Sequence, residues 1–131
     1  MPTNGSNPAA PRYLRARVKQ GHVPPEGEEI HVYPGDPLRI GEESGEYPGW
    51  LRCTTAAGRS SWIPDAYVRW RGPDGTVLTE YNSRELSARA GEFVALLREI
   101  AGWAWARTDD GREGWIPLEA LEPVPPGPAL D

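Results

Sequence analysis

Few residues in this sequence are able to perform nucleophilic, acid–base or metal chemistry. The chain has one cysteine, Cys53, and two histidines, His22 and His31. Neither histidine lies in an HExxH frame, and no Ser/His/Asp order or glycine-rich phosphate loop accompanies them. No base is indicated beside Cys53, so we expect a buried structural thiol there. The sequence therefore predicts a protein that is not an enzyme and that holds no metal and no cofactor.

The composition excludes further classes of protein. The 131 residues carry a formal net charge of −5 and include 15 glycines, 15 prolines and six tryptophans. Net acidity without a basic stripe argues against nucleic-acid binding, and no apolar run approaches the ~18–20 residues that a membrane span needs. Six tryptophans are too many for a disordered chain. We expect a turn-rich cytoplasmic protein, whose polar start lacks the pattern of a signal peptide.

One pattern occurs twice along the chain. Residues 50–68 align with residues 103–121 at an offset of 53, with seven identities in nineteen columns that include a shared Trp-Ile-Pro. We infer two copies of one unit of about 50 residues. The predicted organisation is a disordered arm (1–12), a first domain (13–70), a short linker (71–75), a second domain (76–122) and a proline-rich tail (123–131) that forms neither helix nor strand.

Both copies are predicted to be all-β. Residues 84–101 are rich in helix formers, but the aligned residues 29–43 contain two prolines and two glycines at positions that a helix interior does not tolerate. Each segment is therefore interpreted as strand–loop–strand. Residues 109–111 (DDG) predict a hairpin turn in which glycine adopts a positive φ, and residues 72–75 (GPDG) predict a turn in the linker. The expected architecture is two small five-stranded barrels in tandem, closely packed because the link is short.

The residues of the second copy resemble those of the Src-homology-3 (SH3) family. Residues 86–92 (LSARAGE), the pair Gly102-Trp103 and residues 111–117 (GREGWIP) are similar to the family's L-S-F-x-x-G-D/E step, its tryptophan and its G-Y/W-I/V-P end. The first copy keeps this frame at Gly35-Asp36, Trp50 and Trp62-Ile63-Pro64. The chain thus resembles a bacterial tandem SH3 protein, and the resemblance implies SH3-like barrels.

The resemblance also implies a function and a site. SH3 domains bind proline-rich segments in polyproline II form on an aromatic strip, beside an acidic loop that pairs with a ligand Arg or Lys. A non-catalytic module that binds proline-containing, basic peptides is therefore expected. The matching positions are His22, Glu26, Glu28, Glu29, Trp50, Pro64 and Tyr67 in the first copy, and Tyr81, Trp103 and Pro117 in the second. The first copy keeps more of them, so Trp50→Ala is expected to weaken binding more than Trp103→Ala.

Other interpretations of the sequence stay open. The chain could be an accessory or scaffold subunit of a larger complex, or an SH3-like binder of bacterial cell-wall peptides. The two sites could form one composite site, or each could be covered by its neighbour. The tail holds two overlapping P-x-x-P segments within residues 123–128, so self-association through the tail is also possible, although the tail offers no basic residue to the acidic loops.

Overall fold

The computed structural model describes residues 15–27 and 29–125, and in this part of the chain the elements are β-strands and two 3₁₀ helices. The all-β prediction is confirmed. The strands are β1 (Arg15–Val18), β2 (His31–Val32), β3 (Pro37–Glu43), β4 (Trp50–Thr55), β5 (Ser60–Pro64), β6 (Val68–Arg71), β7 (Asp74–Val77), β8 (Tyr81–Asn82), β9 (Phe93–Ile100), β10 (Trp103–Thr108), β11 (Glu113–Pro117) and β12 (Leu121–Val124), and the 3₁₀ helices span Asp65–Tyr67 and Leu118–Ala120.

Unit 1 is one of two compact units, and among the described residues it comprises 25–27 and 29–84. Its main sheet has the order β5-β4-β3-β7-β6, and every neighbouring pair is antiparallel. The short strands β2 and β8 form a separate antiparallel pair. Apolar side chains that alternate along these strands, such as Leu38, Ile63 and Val77, are buried in its core.

Unit 2 comprises residues 15–24 and 85–125. Its sheet has the order β11-β10-β9-β1-β12 and is antiparallel throughout. The core contains Val18 from β1, Leu86, Val94 from β9 and Ile116 from β11, all buried to 2 % exposure or less. Small residues, Ala104 and Ala106, take the inward positions of β10, so the strands pack closely around few large side chains.

The unit boundaries differ from the domains expected from the sequence, which were 13–70 and 76–122. Strand β1 pairs with β9 and β12 of unit 2, whereas β7 pairs with β3 and β6 of unit 1. Unit 2 therefore includes a strand of the first sequence copy, and unit 1 includes strand residues of the second. Among the described residues, unit 1 lies between Pro25 and Arg84, and it interrupts the chain of unit 2 between Pro24 and Glu85.

The turn at Gly72-Pro73 gives a physical reason for this exchange. Residues 71–75, expected to link two domains, instead belong to a β-hairpin in which Arg71 pairs with Asp74. Gly72 has a φ of 58°, a conformation that glycine adopts without steric cost. A two-residue turn returns the chain onto the strand it has just left, and β7 consequently stays in unit 1.

The predicted proline-rich tail also begins inside the sheet. Pro123 lies in β12, opposite Ala16 of β1, although the tail was expected to form no strand. Proline is tolerated there because β12 is the last strand of its sheet and needs no N–H on its outer side. The arm at residues 1–12 and the tail beyond Pro125 lie outside the described residues.

Two local predictions are confirmed by the structure. The helix-forming segment at residues 84–101 contains β9 and no helix. Strand β9 pairs with β10 between Val94 and Ile100, with one register shift, across a tight connection at Ala101-Gly102. The turn at residues 109–111 joins β10 to β11, and Gly111 adopts a φ of 91° as expected.

Candidate functional site

Four residues that the sequence assigned to binding sites come together in unit 1, and we call Trp50, Pro64, Tyr67 and Tyr81 the unit 1 cluster. Trp50 begins β4 and lies opposite Pro64 at the end of β5. The ring centroid of Tyr81 lies 6.3 Å from that of Trp50 and 5.8 Å from that of Tyr67. The Tyr81 hydroxyl donates a hydrogen bond of 2.9 Å to the carbonyl oxygen of Trp62. The rings and this bond hold β8 against the sheet of unit 1.

The unit 1 cluster is closed in this structure. Trp50 is 5 % exposed, Tyr67 is 1 % exposed and Tyr81 is 4 % exposed, and Pro64 is fully buried. A binding strip for a peptide needs exposed ring faces. The geometry of the cluster is therefore that of a packed aromatic layer.

Two of the three acidic residues expected beside this cluster lie in the described part of the chain. Glu26 and Glu29 are exposed, whereas Glu28 lies outside the described residues. The carboxylate of Glu29 lies 3.5 Å from Nε of Arg84, and its backbone carbonyl accepts a hydrogen bond of 3.0 Å from Arg59. Exposed ion pairs of this kind contribute little to stability, so the carboxylate of Glu29 can exchange partners readily.

A second group of residues forms what we call the unit 2 site: His22, Glu85, Trp103 and Pro117. Trp103 begins β10 opposite Pro117 of β11. The imidazole of His22 lies edge-on to the Trp103 ring, with centroids 5.8 Å apart, and its Nε2 lies 2.9 Å from Oε1 of Glu85. Trp103 is partly exposed, and the side chains of His22 and Glu85 are 17 % and 27 % exposed. The unit 2 site is thus accessible to solvent.

Backbone pairing positions the two ionisable members of the unit 2 site. His22 and Ala88 exchange backbone hydrogen bonds of 2.8 and 3.0 Å, which fixes His22 beside the strand segment that starts at Glu85. Glu85 bridges to Trp115 of β11, and the next N–H, that of Leu86, donates 2.8 Å to the Trp115 carbonyl. Gly114 makes this approach possible, because a Cβ there would lie only 2.7 Å from the Leu86 nitrogen.

The strand exchange regroups the residues predicted for the two sites. His22 was expected with Trp50 and lies with Trp103, whereas Tyr81 was expected with Trp103 and lies with Trp50. The turn signal at residues 72–75 is present in the sequence, but it does not indicate whether the turn joins two domains or two strands of one sheet. Glu85 was not among the predicted site residues, although it aligns with Glu29, which was.

Cys53 and His31, which were considered for chemistry, have surroundings that suit a structural role. Cys53 is fully buried, and burial raises the pKa of its thiol to about 11, so the thiolate that a nucleophile requires is scarce at neutral pH. His31 is exposed, and its ring stacks on Tyr33 and bonds Glu80 at 2.7 Å. Among the residues that the structure describes, no group of three or more His, Cys, Asp or Glu side chains could hold a metal ion.

Across residues 15–27 and 29–125, no helix has the length and apolar character needed to cross a membrane.

Part of the chain matches a known protein family. Residues 77–124 match the sequence model of the variant SH3 domain family, which supports an SH3-like domain in this chain. No curated protein matches the sequence. The matched segment crosses the boundary between the units, since residues 77–84 belong to unit 1 and residues 85–124 to unit 2.

Proposed function

We propose that this chain is a non-catalytic protein-interaction module, and that the unit 2 site binds a proline-containing segment carrying a cationic residue. The role of interaction module follows from the SH3-like domain, because SH3 domains bind peptides and proteins. The observation that supports this binding site and this kind of ligand is the partly exposed Trp103, which lies in the same open site as the carboxylate of Glu85.

The chemistry of the unit 2 site suits such a ligand. A flat indole face packs against a proline ring, and a polyproline II segment loses little conformational entropy on binding because it is already rigid. A carboxylate at the edge of an aromatic surface accepts a charge-assisted hydrogen bond from Arg or Lys. Pro117 is buried opposite Trp103 in the sheet, so we expect it to contact no ligand.

Accessibility favours the unit 2 site over the unit 1 cluster. The unit 1 cluster has the fuller set of rings and was expected from the sequence to be the main site. Its rings are at most 5 % exposed, so a ligand would have to open a packed layer first. We therefore propose the unit 2 site as the one that binds, and we expect Trp103→Ala to weaken binding more than a substitution of Trp50.

A titration of the full-length ¹⁵N-labelled chain tests this proposal. The probe is a proline-rich peptide with one arginine, and the readout is the six tryptophan indole signals together with the amides of His22 and Glu85. We expect the Trp103 indole to shift, and we expect Trp103→Ala to lower the affinity about tenfold or more, as for a central aromatic contact.

Matched variants separate binding from folding in this experiment. Trp105→Ala alters the same strand at an indole that donates to Glu113, and it should leave the affinity within a factor of about two. Trp50→Phe replaces the buried ring conservatively and should do the same. Absence of any indole shift, or a shift confined to Trp50, would contradict the proposal.

A second candidate function is that of a scaffold or accessory subunit, and the closure of the unit 1 cluster favours it. Four residues that match a binding strip are packed away from solvent, as expected of a barrel that serves as a structural part. In that case the Trp50 indole N–H exchanges slowly with D₂O and stays unshifted with every peptide. Rapid exchange at Trp50 would argue against this candidate.

A further inference from the structure

The carboxylate of the unit 2 site already has a partner. Oε1 of Glu85 lies 2.9 Å from Nε2 of His22, and both side chains are more than two-thirds shielded from solvent. Shielding of this degree reduces screening by salt relative to an exposed pair. A ligand cation that approaches Glu85 must therefore share the carboxylate with the imidazole or displace it.

The surroundings of His22 define what its protonation would change. From the strand segment 85–88, Glu85 faces the imidazole and Ala88 bonds its backbone. From β10, the uncharged ring of Trp103 faces it. Glu85 is thus the charged partner that these elements present to His22, and the charge of the pair depends on the proton of the histidine.

We propose that His22 is a specificity-determining residue of the unit 2 site, because it competes with a ligand cation for Glu85. This inference rests on the proposed function. When His22 is protonated, it neutralises Glu85, and a ligand arginine gains little. When His22 is neutral, Glu85 keeps its negative charge, and the arginine pairs with it. Cationic ligands therefore bind more tightly as the pH rises from about 5.5 to 8, the range in which histidine changes charge.

Alignment of the two sequence copies does not predict that His22 competes for Glu85. In the sequence, His22 belongs to the first copy, whereas Glu85 and Trp103 belong to the second. Strand β1 carries the histidine into unit 2. The competition exists only because of this exchange.

Two peptides and three variants test the inference on the full chain. We would measure affinities at pH 5.5 and pH 8.0 for a proline-rich peptide with one arginine and for the same peptide with glutamine in its place. The wild-type chain should bind the arginine peptide about threefold more tightly at pH 8.0, the scale of a partly exposed ion pair. It should bind the glutamine peptide equally at both pH values.

The variants identify the responsible histidine. His22→Gln keeps a hydrogen-bonding side chain but cannot titrate, and it should bind the arginine peptide equally at both pH values. Glu85→Gln should abolish the preference for arginine. His31→Gln changes the histidine of unit 1, which pairs with Glu80, and it should keep the wild-type pH dependence.

The possible results separate this inference from the proposed function. Binding of both peptides with no pH dependence, or a pH dependence that persists in His22→Gln, overturns the inference and leaves the peptide-binding proposal intact. Failure of both peptides to bind the wild-type chain at either pH overturns the proposed function, and the inference with it.

Discussion

Arg112 joins three parts of unit 2 through one guanidinium group. Its Nη1 donates 2.5 Å to the carbonyl of Ser87, its Nη2 lies 3.1 Å from Glu92, and its Nε bonds both carboxylate oxygens of Asp110 at 3.1 Å. These bonds tie the β10–β11 turn to the segment that carries Glu85. The aligned residue of unit 1, Arg59, also donates to a backbone carbonyl, that of Glu29, at 3.0 Å. The Gly-Arg pair shared by the two sequence copies thus has a structural purpose.

At this residue we expect Arg112→Lys to destabilise unit 2 by about 1–2 kcal/mol, because a lysine cannot form the planar fork that reaches three acceptors at once. Arg107→Lys should cost less, since Arg107 forms an exposed ion pair with Glu113 at 3.8 Å. Urea unfolding followed at the Trp103 and Trp50 indole signals reports each unit separately. Equal losses from the two substitutions would contradict this prediction.

The same network makes the stability of the turn depend on pH. A hydrogen bond from Thr108, followed by the hydrogen bond from Arg112, lowers the pKa of Asp110 from its ordinary value of 3.8. A carboxyl whose pKa is lower in the folded state stabilises the fold above its unfolded pKa and loses that contribution as the pH falls. We expect the urea midpoint to fall as the pH drops below about 4, and Asp110→Asn to flatten that part of the profile. Asp109→Asn, the matched control, should leave the slope unchanged.

At the scale of the elements, the backbone of Glu85 and Leu86 passes so close to β11 that position 114 must be glycine. A Cβ at Gly114 would lie 2.7 Å from the Leu86 nitrogen and 2.8 Å from the Glu85 carbonyl carbon, and neither backbone atom can turn aside. We expect Gly114→Ala to destabilise unit 2 by about 1–3 kcal/mol and to weaken the preference for an arginine peptide by moving Glu85. Ser61→Ala, at the aligned position of unit 1, should be nearly neutral when measured by the same urea unfolding.

The elements themselves follow from the sequence, whereas their partners do not. Proline and glycine positions in residues 29–43 excluded helix and predicted strands in both copies, and Gly111 marked its turn. Alternation along a strand indicates which side chains are buried, but it does not indicate which sheet the strand joins. The two-residue turn at Gly72-Pro73 decided that question, and Pro123 could join β12 because the strand lies at an edge. Site residue types could therefore be predicted, but their grouping could not.

For the whole molecule, the structure predicts which fragments fold. All strands of unit 1 lie within residues 25–84, so a fragment of these residues should fold alone. Residues 77–124, the segment that matches the family, lack β1 and should not fold, because β9 and β12 would lose the strand between them. A chain that joins residues 15–24 to 85–125 through a short Gly-Ser linker should fold. Dispersion of amide signals in a ¹H–¹⁵N spectrum measures each outcome, and a folded 77–124 fragment would refute the exchange.

Because unit 1 interrupts unit 2, the strands of unit 2 are synthesised at different times. Strand β1 is made early, but its neighbours β9 and β12 follow only after the whole of unit 1. At about 5–20 residues per second, ribosomal synthesis leaves β1 without its partners for roughly 5–20 seconds. During that wait, Arg15 and Arg17 on the exposed face of β1 provide the charges that discourage a lone strand from pairing with other chains.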